Sequence, residues 1–142
     1  MRRCIFCLTV ILVIFCGGCT ERKIKEETNY VQGVYEVVIS KSLLCNHSVG
    51  NEWDIVYTCN DSVISSSERW TVPLDTQKMV IIRATITEKD TYPDVGFGDL
   101  CVVLKDGFET TTTISLFENK GRFKGNMAQW EITCKVVLVQ RL

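Results

Sequence analysis

Several features that are common in enzymes and in nucleic-acid-binding proteins are scarce in this sequence. It has one histidine, two prolines and a formal net charge of −1 among 142 residues. A nucleic-acid-binding protein usually carries a basic face or stripe, so this charge balance argues against that class. The sequence contains no glycine-rich phosphate loop, nucleophile elbow or metal-ligand motif. No segment keeps the apolar period of a helix, which argues against a helical fold.

The N-terminal segment has the layout of an export signal. Two arginines follow Met1, an apolar run extends over residues 4–16, and two glycines precede Cys19. The run is shorter than the roughly 20 residues that a membrane-spanning helix needs, so the pattern indicates a secretory signal. A cysteine after two small residues resembles a lipoprotein signal, although Cys16 stands where an aliphatic residue is usual. We expect a lipoprotein-type signal peptide over residues 1–18 and lipid on Cys19, with ordinary secretion and an uncleaved anchor as alternatives.

A polar segment, residues 19–32, joins this signal to the rest of the chain. It is rich in charge and lacks apolar periodicity, so we expect a tether that lifts the following domain off the bilayer. Two acyl chains on Cys19 provide stable anchoring, which predicts a location on the extracytoplasmic face of the cell membrane. The membrane is then one partner, and an envelope protein or polymer is the other.

Four cysteines remain when the signal and Cys19 are set aside: Cys45, Cys59, Cys101 and Cys134. They include no C-x-x-C pair, the spacing typical of zinc sites, so zinc is not expected. Export permits disulfides, and four cysteines allow three pairings between which the sequence does not choose. Free buried thiols, which pack as small apolar groups, are the alternative.

From residue 33 the chain alternates between apolar and polar residues. Val80, Ile82 and Ala84 fall on one face of residues 79–88, and the polar residues fall on the other. One apolar face on each strand requires a second sheet to cover it, so we expect an all-β fold over residues 33–142. It is an antiparallel β-sandwich of about 7–8 strands. The predicted strands are residues 33–45, 52–59, 69–74, 79–88, 98–106, 109–118 and 126–140.

Three details of this sandwich are also predicted. Pro73 makes the 69–74 segment an edge strand, because proline donates no backbone hydrogen bond. Asp106 and Gly107, between two alternating runs, are typical of a two-residue hairpin turn. The tryptophans lie on the apolar sides of their strands, so we expect core residues and not a sugar-stacking platform: Trp53, Trp70 and Trp130.

The segment EKDTYPDVGFGD, residues 88–99, is the strongest candidate for a metal site. Calcium takes six to eight oxygen ligands, and four carboxylates occur in this short stretch: Glu88, Asp90, Asp94 and Asp99. The spacing does not follow the order of an EF-hand loop. The alternative is a solvated turn, in which Pro93 fixes its own φ and Gly96 and Gly98 permit positive φ.

A second candidate site is basic. Lys120, Arg122 and Lys124 alternate with glycines in ENKGRFKGN, residues 118–126, a predicted hairpin connection. Three cations in one loop favour contact with an anionic polymer of the cell wall or with lipid head groups. The alternative is a soluble loop whose glycines serve the turn.

A catalytic site is not evident in the sequence. Cys45 and His47 are two residues apart and would share a side of an extended strand, as a thiol nucleophile and its base do. The sequence shows no third group to orient them. We therefore expect no enzymatic activity and no cofactor apart from the calcium considered above, and a hydrolase on a β-sandwich is the third-ranked interpretation.

Three stretches carry a resemblance: SVGNEW (48–53), YPDVG (92–96) and ENKGRFKGNMAQWEI (118–132). Together they resemble a set of uncharacterised bacterial exported proteins and lipoproteins. The resemblance implies a C2-like or Ig-like β-sandwich and brings no known activity with it. The expected function is a non-enzymatic binding or interaction module anchored in the envelope. The alternative is a structural or auxiliary envelope lipoprotein without a small ligand.

Overall fold

A computed structural model describes residues 31–72 and 78–142 of the chain. The predicted signal peptide, the lipid site at Cys19 and most of the tether lie outside these residues, as does Pro73. Within the two described ranges, no helix is long and apolar enough to span a membrane.

The described chain is an antiparallel β-sandwich of two four-stranded sheets, which confirms the predicted fold class. One sheet has the strand order β4-β1-β8-β7 and the other β3-β2-β5-β6, and every pairing is antiparallel. The strands are β1 Gly33–Asn46, β2 Trp53–Cys59, β3 Ser62–Ile64, β4 Ser67–Val72, β5 Met79–Glu88, β6 Val95–Val103, β7 Glu109–Phe117 and β8 Met127–Arg141.

The core lies between the two sheets and is built from the alternating residues of the sequence. Val80, Ile82 and Ala84 of β5 face inward and are buried, as the period-two pattern predicts. Trp130 is buried, and Trp53 and Trp70 pack against the core while partly exposed. The ring of Trp53 meets that of Trp130 edge to face, with centroids 5.6 Å apart. The tryptophans are therefore core residues.

One turn prediction is wrong and another is correct only in part: residues 89–94 do form the turn between the paired strands β5 and β6, but Gly96 and Gly98 take no part in it. Asp106 and Gly107 do not form a hairpin, because β6 and β7 belong to different sheets and the segment between them crosses the sandwich. Gly107 does have a positive φ of 74°. Gly96 and Gly98 belong to no turn but to β6, which begins earlier than predicted, and neither has a positive φ.

Close packing against β7 explains why glycine occupies positions 96 and 98. A Cβ on Gly96 would lie 2.9 Å from Cγ of Leu116 and 3.0 Å from the backbone oxygen of Ser115. A Cβ on Gly98 would lie 2.9 Å from a side-chain carbon of Ile114. The two glycines let β6 approach β7 closely at the side of the sandwich, which is a tertiary requirement and not a turn requirement.

The edge-strand prediction is correct. β4 pairs with β1 alone and ends its sheet. A short strand, β3, was not predicted, and it pairs with three residues at the end of β2.

Most of the described connections lie at the two ends of the sandwich. Three of them lie at one end, which we call the loop end: residues 47–52, 89–94 and 118–126. The chain enters β1 at the opposite end, which we call the tether end, where Gly33 is paired with Val72 and Arg141. β1 runs from the tether end to the loop end, and its length separates the two by about 40 Å.

Candidate functional site

The three connections of the loop end contact one another closely. The backbone N–H of Lys89 donates to the carbonyl of Glu52, with 2.7 Å between nitrogen and oxygen. The ammonium group of Lys120 lies 5.1 Å from the centre of the Tyr92 ring. These contacts join residues 47–52 to residues 89–94, and residues 89–94 to residues 118–126. Three connections that are far apart in the sequence therefore come together at this end.

Asp94 is the buried link between two of these connections. Its side chain is 2% exposed, and its Oδ1 accepts a hydrogen bond of 2.7 Å from Nδ2 of Asn119. The backbone N–H of Asn119 also donates to both carboxylate oxygens, at 3.2 and 3.4 Å. Asp94 is thus well supplied with donors. Its position predicts a structural role in holding residues 89–94 against residues 118–126.

Glu88 is buried without the same support. It occupies the last inward position of β5, in register with Trp53 of β2, and is 2% exposed. Its Oε2 is buried and has no hydrogen-bond partner among the described residues. A buried carboxylate without a donor is costly, so this atom marks a site that a ligand can complete.

The surroundings of Glu88 are acidic. Burial raises the pKa of its carboxyl group, and the charges of Asp90, Glu118, Asp94 and Glu52 raise the pKa further. Burial also raises the pKa of Glu118, with smaller contributions from Asp94 and Asp90. The loop end therefore concentrates negative charge around a buried carboxylate.

A glycine allows the 47–52 connection to close over Glu88. Gly50 has a φ of 104°, a left-handed conformation that disfavours other residues. A Cβ at this position would collide with the carboxylate of Glu88. The side chain of Asn46 stabilises the turn, because its Oδ1 accepts from the N–H of Val49 at 2.9 Å and its Nδ2 donates to the carbonyl of Gly50 at 2.6 Å.

A cavity of about 550 Å³ opens at the loop end beside Glu88. Four carboxylates line it together with one lysine, Lys89, whose Nζ lies 3.5 Å from Oδ2 of Asp54, a residue outside the lining. The lining also includes Val49 and the ring of Phe123, which give the cavity an apolar part. The carboxylates are Glu52, Glu88, Asp90 and Glu118.

Asp90 and Asp99, the other two members of the predicted calcium set, have different positions. Asp90 lines the cavity, and its Oδ1 accepts from the N–H of Tyr92 at 2.6 Å. Asp99 lies within β6 on the outer face, opposite Arg83 of β5. Arg83 sits five residues before Glu88, about 16 Å along the strand.

The carboxylate of Asp99 is engaged by Arg83. Nε and Nη2 of Arg83 donate to its two oxygens at 2.7 and 2.9 Å. This pairing lowers the pKa of Asp99. In the part of the chain that the structure describes, no three His, Cys, Asp or Glu side chains are arranged to hold a metal ion. Calcium binding stays a prediction, and Asp99 does not belong to the same cluster as Glu88 and Asp90.

The basic residues lie on the exposed 118–126 connection, which links the paired strands β7 and β8 as predicted. The guanidinium of Arg122 lies 5.7 Å from the centre of the Phe123 ring, in addition to the Lys120–Tyr92 contact. Lys124 is exposed. Binding of an anionic polymer or lipid head groups by these residues stays a prediction.

Among the cavity residues that the sequence reasoning missed, four supply its further carboxylates and its apolar part: Val49, Glu52, Glu118 and Phe123. Each is separated from residues 88–99 by a long stretch of chain, so no local motif connects them. One local signal was present for Glu88. The alternation of β5 places residue 88 on the same face as Ile86, a signal for an inward carboxylate that the sequence analysis did not use.

The cysteines of the described chain are free thiols. Cys59 and Cys134 are buried, and burial raises the pKa of Cys134 to about 11. Sγ of Cys45 lies 3.7 Å from Oε1 of Gln129, and His47 lies in the exposed connection that follows β1.

No protein-family model matches the chain, and neither a curated protein nor a solved structure matches it.

Proposed function

We propose that this chain is a non-enzymatic binding module held on the extracytoplasmic face of a bacterial cell membrane by lipid on Cys19. The basic start, short apolar run and Gly-Gly-Cys of the N-terminus support the anchor. The sandwich supports the binding role, because it is a rigid scaffold whose loops carry the polar groups. An envelope protein or polymer is the partner in this proposal.

The observation that carries the proposal is the acidic cavity at the loop end. It lies at the end opposite the point where the chain enters β1. A domain tethered through residues 19–32 would present the cavity away from the bilayer. The distance from the bilayer to the cavity would be the length of the tether plus the length of β1. An interaction module anchored by its N-terminus requires this arrangement.

The anchor is tested by expressing the full chain and its Cys19→Ala variant in a bacterial host with an alkyne analogue of palmitate. We expect the wild-type chain to incorporate the label and to sediment with the membranes, because lipid is attached to the cysteine thiol. The variant should lose the label. A wild-type chain without label, or label that remains on the variant, contradicts lipidation of Cys19.

Calcium dependence is tested by thermal melts of residues 20–142, which include every strand of the sandwich, in EDTA and in about 2 mM calcium. A dissociation constant near 0.1 mM would add about 1.8 kcal/mol to the free energy of unfolding and raise the midpoint by several degrees. Asp90→Ala should abolish the rise. Asp99→Asn is the matched control, because Asp99 pairs with Arg83 away from the cavity. An unchanged wild-type melt removes calcium from the proposal.

A second candidate, an auxiliary envelope subunit without a small ligand, is favoured by the outer face of the β3-β2-β5-β6 sheet. Met79 and Ile81 project from one part of this face and Val95 and Phe97 from another, with the Arg83–Asp99 pair between them, and each of the four is more than half exposed. Apolar side chains on an outer face are typical of protein contacts. The test is to replace Ile81 and Phe97 by serine. If the variant folds as the wild type does but no longer associates with the envelope partner, this face and not the loop end is the binding surface.

A further inference from the structure

We propose that the cavity at the loop end binds an alkylammonium group, an aliphatic chain that ends in a protonated amine, and that the Glu88 carboxylate is its central contact. This inference rests on the proposed function and deepens it, because it assigns a ligand class to the same site. A lysine side chain of an envelope polypeptide and a free amine both supply this chemistry.

The charge of the cavity selects a cation. Four carboxylates line it, on Glu52, Glu88, Asp90 and Glu118, against one ammonium group. That ammonium group, on Lys89, is already close to the carboxylate of Asp54. The negative charge of the lining therefore exceeds what the lysine balances, and it attracts a positive ligand.

The unpartnered oxygen of Glu88 is a second and independent observation. Its Oε2 is buried and receives no hydrogen bond from the described residues, whereas the neighbouring buried Asp94 receives several. An ammonium group brings three N–H donors. A charge-assisted hydrogen bond from such a donor is about twice as strong as a neutral one and supplies what Glu88 lacks.

The size and lining of the cavity favour an organic cation over a bare metal ion. A volume of about 550 Å³ lies in the range of organic-ligand pockets. Val49 and Phe123 offer apolar contact for an aliphatic stem. Calcium needs six to eight oxygens around one point, and no three acidic, histidine or cysteine side chains in residues 31–72 and 78–142 are gathered in this way.

The arrangement of the carboxylates favours ammonium over guanidinium. They come from three separate connections: Glu52 from residues 47–52, Glu88 and Asp90 from the end of β5 and the loop after it, and Glu118 from residues 118–126. Ammonium donors diverge in three directions, whereas guanidinium donors lie in one plane and suit a single bidentate carboxylate.

Two further basic side chains near the loop end, those of Lys120 and Arg122, do not line the cavity. The ammonium group of Lys120 lies over the ring of Tyr92, and the guanidinium of Arg122 lies over the ring of Phe123. Neither of these basic side chains belongs to the lining. The site is thus left to a ligand from another molecule.

The test is a titration of ¹⁵N-labelled residues 20–142, followed by amide chemical shifts, at a pH of about 8, above the ordinary range of carboxyl pKa values. The probes are Nα-acetyl-lysine methylamide, 1,5-diaminopentane, the uncharged Nα-acetyl-norleucine methylamide, and calcium chloride. We expect an amine probe to shift the amides of Gly50, Asn51, Lys89 and Asp90 saturably. The norleucine probe should leave them unshifted.

Glu88→Gln is the decisive variant, because it keeps the shape of the side chain and removes the charge. We expect it to weaken amine binding about tenfold or more, the usual effect of losing a charge-assisted hydrogen bond. Asp61→Asn is the matched control: it removes one charge at the tether end, where asparagine tolerates the φ of 62°. Equal affinity of wild type and Glu88→Gln, or equal shifts by the norleucine probe, overturns the inference.

The remaining outcomes distinguish a polypeptide ligand, a free amine and a metal ion. Tighter binding of the acetyl-lysine probe supports a polypeptide ligand, and tighter binding of the diamine supports a free amine. Shifts of the cavity amides by calcium, with neither amine acting, overturn the inference in favour of a metal site. If no probe binds but Cys19 is labelled in the palmitate experiment, the proposed ligand class is wrong and the lipid anchor is supported. The two proposals can therefore fail independently.

Discussion

At the residue scale, the burial of Glu88 lowers the stability of the fold, because its carboxylate loses contact with water and one oxygen gains no hydrogen bond in return. Glu88 continues the apolar face of β5 into the loop end, yet it is a carboxylate with an unsatisfied oxygen. Asp94 is equally buried but accepts hydrogen bonds from Asn119. A buried group that no described residue satisfies is typical of a site that serves binding and not folding.

The first residue-scale prediction concerns the pH dependence of stability. Because the pKa of Glu88 is raised in the folded state, mainly by burial, the folded state holds its proton more strongly than the unfolded chain does. The contribution of Glu88 to stability is fully present below the ordinary glutamate pKa of about 4.3 and is lost as pH rises through the folded pKa. Glu88→Gln removes this loss and should raise the neutral-pH melting temperature by a few degrees.

The comparison of melts at acidic and neutral pH checks this prediction. Glu88→Gln should differ from wild type more at neutral pH than at acidic pH. Asp61→Asn should follow wild type at both. A Glu88→Gln chain that melts well below wild type at neutral pH would show that the charged carboxylate stabilises the fold.

The second residue-scale prediction concerns the thiols. Cys134 is completely buried with a pKa of about 11, whereas Cys101 is exposed on the outer face of β6. At about pH 8, N-ethylmaleimide should modify Cys101 in the folded protein and should reach Cys134 only after unfolding, because the thiolate is the nucleophile and must be accessible. Peptide mass spectrometry measures both, with Cys101→Ser as the control. Rapid modification of Cys134 in the folded state contradicts the described core.

At the element scale, the close approach of β6 and β7 explains a pattern that the sequence left ambiguous. Two glycines after a proline and an aspartate are typical of a turn, and we predicted one. The structure uses the glycines inside a strand, where Ile114 and Leu116 of β7 occupy the space of a side chain. The local sequence does not show which residues pack against Gly96 and Gly98, so sequence reasoning alone could not replace the turn prediction by a packing explanation.

The prediction at this scale is that Gly96→Ala destabilises the protein. In an open strand, alanine would gain about 0.4–1 kcal/mol over glycine by restricting the unfolded chain. Here its Cβ meets Leu116 and a backbone oxygen, so we expect a net loss of about 1–3 kcal/mol. Urea unfolding measures the change.

Gly107→Asn provides the control for this substitution. Nothing lies within 4 Å of a Cβ at Gly107, and asparagine tolerates its positive φ. It should change stability by less than about 0.5 kcal/mol. If Gly96→Ala is as stable as wild type, the two strands do not approach each other as described.

At the scale of the whole molecule, the residues that stabilise the fold and the residues of the candidate binding site occupy different parts of the sandwich. Its core is formed by strand residues together with Leu104, which follows β6. The lining of the acidic cavity comes from the three connections of the loop end and from Glu88 at the end of β5. The chain enters at the other end, where the hydroxyl of Tyr35 donates to the carbonyl of Val31 at 2.6 Å and the N–H of Leu142 donates to the carbonyl of Gln32 at 3.2 Å.

The prediction for the whole molecule is that chains starting at residue 20 and at residue 31 unfold alike. Both contain all eight strands, so their melting temperatures should agree within about 2 °C. Circular dichroism and tryptophan fluorescence should report one coincident transition, because the core is continuous. A markedly lower midpoint for the shorter chain would place stabilising contacts before residue 31.

The sequence by itself indicated seven of the eight described strands, which of their faces is buried and that two sheets must pack together, because strand alternation is a local, period-two property. It also identified an acidic segment and a basic one. Only the tertiary structure decided that β6 and β7 lie in different sheets and that Asp99 faces outward to Arg83. It likewise brought Glu52 and Glu118 beside the buried Glu88. Pairing and burial depend on residues far apart in the chain, and no local pattern specifies them.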